Sequence, residues 1–165
     1  MAHISGAHFN PSVTLAFAVT RHFPVRQVPV YWLAQCIGAT LASLLLSVIL
    51  PAGAAFGVTA PNVSALQAVA WEGVLTFFLM FVIVSVATDT KAVGVMAGAA
   101  IGATVALAAF VGGPVTGASM NPARTLAPAF VSGHYEGMWI YLVGPTVGAV
   151  AAALFYELIR ERSPS

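Results

Sequence analysis

The sequence predicts an all-α membrane protein built on an inverted repeat, and three observations predict it. Of its 165 residues, 59% are hydrophobic and 7% charged, with a mean hydropathy of +0.93, far from the roughly quarter-charged make-up of soluble domains. Four apolar segments, Val28 to Leu50, Ala65 to Thr88, Ala92 to Gly113 and Met138 to Tyr156, each approach the about 20 residues that a bilayer core requires. Finally, "GAHFNPSVTLAFAV" from Gly6 and "GASMNPARTLAPAF" from Gly117 share a frame of Gly-Ala, Asn-Pro and Thr-Leu-Ala.

Helices are the expected spanning form, because a helix bonds its own backbone polar groups and the segments lack the short alternating strands of a barrel. Threading the four spans puts Arg21, Arg26, Lys91, Arg160 and Arg162 on one side, which the positive-inside rule assigns to the cytoplasm, the C-terminus with them. A net charge of +1 with scattered basic residues gives no reason to expect a nucleic-acid partner. Cys36, the single cysteine, lies in the first span, so no intrachain disulfide forms and a packed core thiol is expected in preference to a reactive one. The opening "MAHISGAHFN" lacks the positive-then-apolar order of a secretory signal.

The Asn-Pro segments come first in each repeat. Each offers about ten helical residues before a breaker, Pro24 after one and "SGH" after the other. At about 1.5 Å per residue that is roughly half the hydrocarbon core. Asn is a strong N-cap and Pro suits the first helical position, so Asn10 and Asn121 are expected to cap two half-helices. An ordinary turn is the alternative for one Asn-Pro pair; two in a shared frame, each followed by a matching span, favour the half-helix. Those spans match as "YWLAQCIGA" from Tyr31 and "YLVGPTVGA" from Tyr141. The two spans between the units turn the second to enter from the opposite side, the arrangement that places sites at the bilayer midplane. Non-helical "SGAHF" and "TGASM" then lie at membrane depth, where unpaired carbonyls are tolerated only along a water-filled cavity. Gly94, Gly98 and Gly102, and the pair Gly144 and Gly148, have the spacing that lets membrane helices approach closely.

Over essentially its whole length the chain resembles the aquaporin, or major intrinsic protein, family. "SGAHFNPSVTLA" is similar to the first Asn-Pro-Ala loop, "AQCIGA" to the third family helix, "EGVLTFFLMFVIV" to the fourth and "GPVTGASMNPARTLAPA" to the second loop. The resemblance implies a homotetramer in which each subunit has its own pore, with Asn10-Pro11-Ser12 and Asn121-Pro122-Ala123 meeting at its centre. Both half-helix N-termini would point positive ends, each about half a charge, at the midplane and repel cations. The Asn amides would donate to a solute oxygen and stop a proton relay, while carbonyls of Gly6, Ala7 and His8, and of Gly117, Ala118 and Ser119, accept along the file.

Arg124 stands where the first repeat has Val13, so symmetry is broken at one mouth. By resemblance it belongs to a narrow selectivity filter with Ala109 and Ala118; a structural salt bridge to Glu136 is the alternative. An intramembrane charge is a functional residue by default. Glu72, the acid placed well inside a span, is expected to brace the second loop rather than carry protons. His8 is expected to contribute backbone rather than bind metal, and His3, His22 and His134 are too dispersed for a site, so no metal or cofactor is expected.

Small residues at Ala109 and Ala118 predict a constriction wider than that of water-specific members, and weak inhibition by mercurials, since many members carry cysteine at the position of Ala118. Thr125 and Ala129 depart from glycerol channels, which carry Asp and a basic residue there; Tyr141-Leu142 departs from water-specific members. With Ser12, the pattern looks most like the nodulin-like branch. The expected solutes are water, glycerol, urea and neutral metalloid hydroxides, in a multi-pass plasma (inner) membrane protein of one channel domain, 1–165.

Only nine residues precede Asn10, so against the family's six spans the first two helices are missing and the chain reads as N-terminally truncated. Four spans plus two half-helices remain. A non-conducting subunit that packs with or regulates a complete channel is therefore a second expectation. An ion-coupled transporter would want a second buried acid, and an enzyme is not expected, since neither HExxH nor GxSxG occurs.

Overall fold

Asn-Pro starts a helix twice in the computed structural model, which describes residues 2–51, 54, 56–88 and 94–160, without the side chains of residues 2 and 3. After a single turn, α1 (Ala2–Ser5), comes the first short helix, α2 (Pro11–Val19), then a 3₁₀ turn at Val25–Gln27 and α3 (Val28–Ile49). There follow α4 (Ala65–Ala87), a 3₁₀ turn at Gly94–Met96, α5 (Ala97–Thr116), the second short helix α6 (Pro122–Ser132) and α7 (Met138–Ile159). Among the described residues four helices, α3, α4, α5 and α7, are long and apolar enough to cross a membrane. The two short ones have 9 and 11 residues, about half the hydrocarbon thickness at a helical rise.

Element ends follow local chemistry. Ser64 and Gln67 form a capping box at the start of α4. Gly117 and Gly133 close α5 and α6 in the left-handed conformation, at φ 82° and 77°. The third span differs from the sequence expectation at its end: α5 runs through Pro114 to Thr116. A proline in the last turn removes one intrahelical bond, and the Pro114 carbonyl is satisfied by Asn62 Nδ2 at 2.8 Å.

Packing is swapped between the repeats. The most extensive interface joins α4 to α7, while α2 lies on α7 and α6 on α3. Thus each short helix is seated on the long helix of the other repeat. Val13, Ala16 and Phe17 of α2 share a core with Met80 and Val84 of α4 and with Ala149, Ala152 and Ala153 of α7. The α4–α7 approach depends on glycine: a Cβ on Gly144 would come within 2.8 Å of Glu72 Cβ, and one on Gly148 would strike the Gly73 carbonyl.

Gly94, Gly98 and Gly102 do not play that part. A Cβ on any of them meets nothing within 4 Å: Gly94 lies in the 3₁₀ turn before α5, and Gly98 and Gly102 line a cavity rather than a neighbouring helix. Cys36 likewise departs from the expected core thiol: it is half-buried on α3, a helix whose buried residues are Val28 and Ser43. Of the basic positions, Lys91 and Arg162 lie outside the described residues, as does Ala92, the expected start of the third span. Arg160 pairs with Glu157 at 2.8 Å and Glu157 approaches His22 at 3.8 Å. This ties the end of α7 to the turn after α2, close in sequence to Arg21 and Arg26.

Candidate permeation site

The two loops that precede α2 and α6 share an unusual backbone. Gly6, Ala7 and Phe9 have φ of 71°, 50° and 50°, and Gly117, Ala118 and Met120, at the equivalent places, have 82°, 44° and 54°. Non-glycine residues resist this region, so both loops store strain that surrounding bonds must hold. The sequence reasoning missed it, since only Gly6 and Gly117 advertise a left-handed turn.

Glu72 holds the second loop. Its carboxylate is wholly buried and accepts from Thr116 Oγ1 at 2.7 Å, the Ser119 N–H at 2.9 Å and the Met120 N–H at 2.7 Å. Tyr141 supports the same place by donating its hydroxyl to the Thr116 carbonyl at 2.6 Å. Such charge-assisted bonds satisfy a buried anion that would otherwise be very costly. In the first loop the anchor is lighter. His8 Nδ1 meets Thr14 Oγ1 at 3.2 Å, and its ring lies among Phe17, Phe23 and Tyr31.

The loops meet at the two asparagines. Asn10 Oδ1 caps α2 by accepting from the Ser12 N–H at 2.9 Å, and Asn121 Oδ1 caps α6 by accepting from the Ala123 and Arg124 N–H groups at 3.0 and 3.4 Å. Each amide also donates one N–H across the junction, Asn10 to the Met120 carbonyl at 2.7 Å and Asn121 to the Phe9 carbonyl at 2.9 Å. A second N–H on each amide bonds no described protein atom. The cross-bonds were not legible in the sequence, which places both asparagines together but says nothing of what binds what.

A cavity of about 690 Å³ runs along this junction. It is lined by Gly6, Ala7, His8 and Asn10 from the first loop, Gly117, Ala118, Ser119 and Asn121 from the second, Ala109 from α5, and Arg124. Pro11, Ser12, Pro122 and Ala123 are buried outside that lining, with Ser12 Oγ 3.1 Å from Thr146 Oγ1 of α7. The backbone N–H ends of both short helices converge on the cavity, giving it a positive field. Arg124 adds a full charge and donates Nη1 to the Gly57 carbonyl at 2.7 Å. No ion pair joins it to Glu136 among the described residues. Gly57 lies in the loop after α3 and carried no sequence signal beyond being a glycine in a turn.

Two opposed half-helices capped at one point and flanked by long apolar helices define the major intrinsic protein fold. The chain belongs to that family: the model described as Major intrinsic protein matches residues 1–156, and the family comprises channels, not enzymes. Similar curated proteins fall in its nodulin-like branch. Nodulin-26 of Glycine max is 57% identical, over 97% of this chain and 59% of its own, and Aquaporin NIP1-1 of Zea mays is 55% identical, over 97% and 57%. The chain thus spans just under three fifths of the length of these relatives. Among solved structures it is similar to the aquaglyceroporin from Plasmodium falciparum, with a TM-score of 0.85 at 27% identity, over 96% of this chain and 74% of that one.

Proposed function

We propose that the chain forms a passive channel, as one domain over 1–165, for water and small uncharged solutes such as glycerol, urea and neutral metalloid hydroxides, excluding ions and protons. One observation carries the reading: Asn10 and Asn121, each with a spare amide N–H, residues of both loops and Arg124 line a single cavity. Donors at the centre with acceptors on either side hold a polar neutral solute while the converging helix ends and Arg124 repel cations. Ala109 and Ala118 leave the Arg124 level wide enough for polyols. A homotetramer in a plasma membrane, with the Arg160 end cytoplasmic, is part of the same proposal; the basic residues at that end support the orientation.

A second reading, a non-conducting subunit that packs with a complete channel, is favoured by the uneven cover of the helices. In the most apolar windows of α4 and α7, 39% and 44% of residues are buried, against 6% in those of α3 and α5. Stopped-flow light scattering on proteoliposomes under water and glycerol gradients separates the two. Flux of both above lipid controls supports the channel. Water flux without glycerol or urea flux removes the wider-pore claim, and flux of neither leaves the non-conducting subunit.

A further inference from the structure

The Arg124 side chain takes its described protein bond from a loop, so its position is only as fixed as that loop. The loop is seated at three places, on the end of α5 and on the second repeat. Asn62 donates its backbone N–H to the Val115 carbonyl at 2.8 Å and its amide to Pro114. Thr59 packs on Gly117, where an added Cβ would lie 3.3 Å from Thr59 Cγ2. Thr59 Oγ1 also lies 3.0 Å from Thr125 Oγ1, one residue beyond Arg124 on α6.

The direction of the hydroxyl bonds follows from proton counting. Ser119 Oγ stands 2.9 Å from the Asn121 carbonyl, which can only accept, so the Ser119 proton goes there. Thr125 Oγ1, 2.6 Å from Ser119 Oγ, must then be the donor of that pair. Its proton being used, Thr125 can only accept from Thr59, whose hydroxyl also bonds Tyr141. The result is a one-way chain, Thr59 to Thr125 to Ser119 to the Asn121 carbonyl, with Thr59, Ser119 and Thr125 each no more than 5% exposed. One end carries the loop that grips Arg124; the other is the Asn121 cap.

We infer that Thr125 is a positioning residue for selectivity, coupling the Gly57 carbonyl that holds Arg124 to the Asn121 loop. It touches no solute and acts through Arg124. Removing its hydroxyl breaks the Thr59–Thr125 bond and loosens the loop that carries the Gly57 carbonyl, so the guanidinium gains freedom at the cavity mouth. This rests on the channel reading for its effect on flux, but not for its effect on Arg124.

The test uses the full chain with Thr125→Val, Thr125→Ser and Thr59→Val, and two readouts. Nitrogen NMR of ¹⁵N-arginine protein, with the Arg124 signal assigned through Arg124→Lys, reports whether the guanidinium is held. Proteoliposome flux reports the glycerol-to-water permeability ratio and the sodium leak. Both valine variants are expected to give faster guanidinium rotation and proton exchange at Arg124 and to move the ratio or the leak by about threefold or more, the scale of one lost buried hydrogen bond; Thr125→Ser is expected to match the parent. Should Thr125→Val not fold, Thr59→Val decides, since it cuts the loop while leaving the Thr125–Ser119–Asn121 bonds. An unchanged Arg124 signal in the folded valine variants overturns the inference. So does a changed signal with unchanged selectivity in a conducting parent. A parent that conducts nothing refutes the channel reading instead, and the NMR signal then decides whether Thr125 holds Arg124.

Discussion

Asn10 and Asn121 each donate a side-chain N–H to the carbonyl immediately before the other, so each asparagine caps its own helix and latches the opposite loop. Two of the three hydrogen-bonding roles of each carboxamide are thereby structural, Oδ1 for the cap and one N–H for the latch, leaving the second N–H for a solute. Asn10→Ala and Asn121→Ala are each expected to destabilise the protein by about 1–2 kcal/mol through the lost cap alone. The double variant should lose less than the sum, because both latches depend on one junction. Thermal unfolding in detergent measures the cycle; strict additivity would show that the latches do not couple the loops.

Glu72→Gln tests the brace. A carboxylate accepts from all three donors, whereas the amide must turn N–H toward one of them. A cost of about 1.5–3 kcal/mol is expected, with Glu72→Ala worse. Thermal unfolding checks this, and a neutral Glu72→Gln would mean the loop holds itself.

Replacing Arg124 with valine, the residue of the first repeat, should keep water permeability within about twofold and raise sodium leak about tenfold or more, the scale of about 1.4 kcal/mol at the barrier. Ion-selective fluorescence in proteoliposomes reads the leak. No change would leave exclusion to the helix ends alone.

Mercury sensitivity should be weak in the parent, because Cys36 lies on α3 and is absent from the cavity lining, where Ala118 stands at the second loop. Ala118→Cys should create a block that a thiol reductant reverses. Strong block of the parent that survives Cys36→Ser would contradict this placement.

Glycine positions offer a paired control. Gly148→Ala drives a methyl into the Gly73 carbonyl, whereas Gly102→Ala meets nothing within 4 Å. The first is expected to cost about 1–3 kcal/mol and the second nothing beyond experimental scatter in thermal unfolding.

The half-helices were legible because Asn-Pro carries its own mechanism, a cap oxygen followed by a residue that needs no N–H, and because it occurred twice. The four spans were legible from length and hydropathy, to within a few residues. What the sequence hid depends on pairing across distance. Arg124 was visible as a charge in the wrong place, but its partner, Gly57, lies 67 positions away and contributes only a carbonyl. The glycine spacing at Gly94, Gly98 and Gly102 matched that at Gly144 and Gly148, yet only the second pair has a helix against it, since a spacing defines a smooth stripe and not its occupant. Left-handed Ala7, Phe9, Ala118 and Met120 gave no signal, because tertiary bonds impose that backbone on residues with no preference for it.

The swapped seating of the short helices sets a timetable for biogenesis. On α2, Ser12 reaches Thr146 of α7, 134 residues later, and Asn10 latches a carbonyl 110 residues on. When α2 leaves the ribosome its main packing surface has not been synthesised, whereas α6 emerges with α3 already in place. Maturation of the first half therefore waits for the last helix, and such long-range closure is slow. Nascent chains arrested before α7 should remain protease-sensitive around α2 long after α3, α4 and α5 have entered the bilayer.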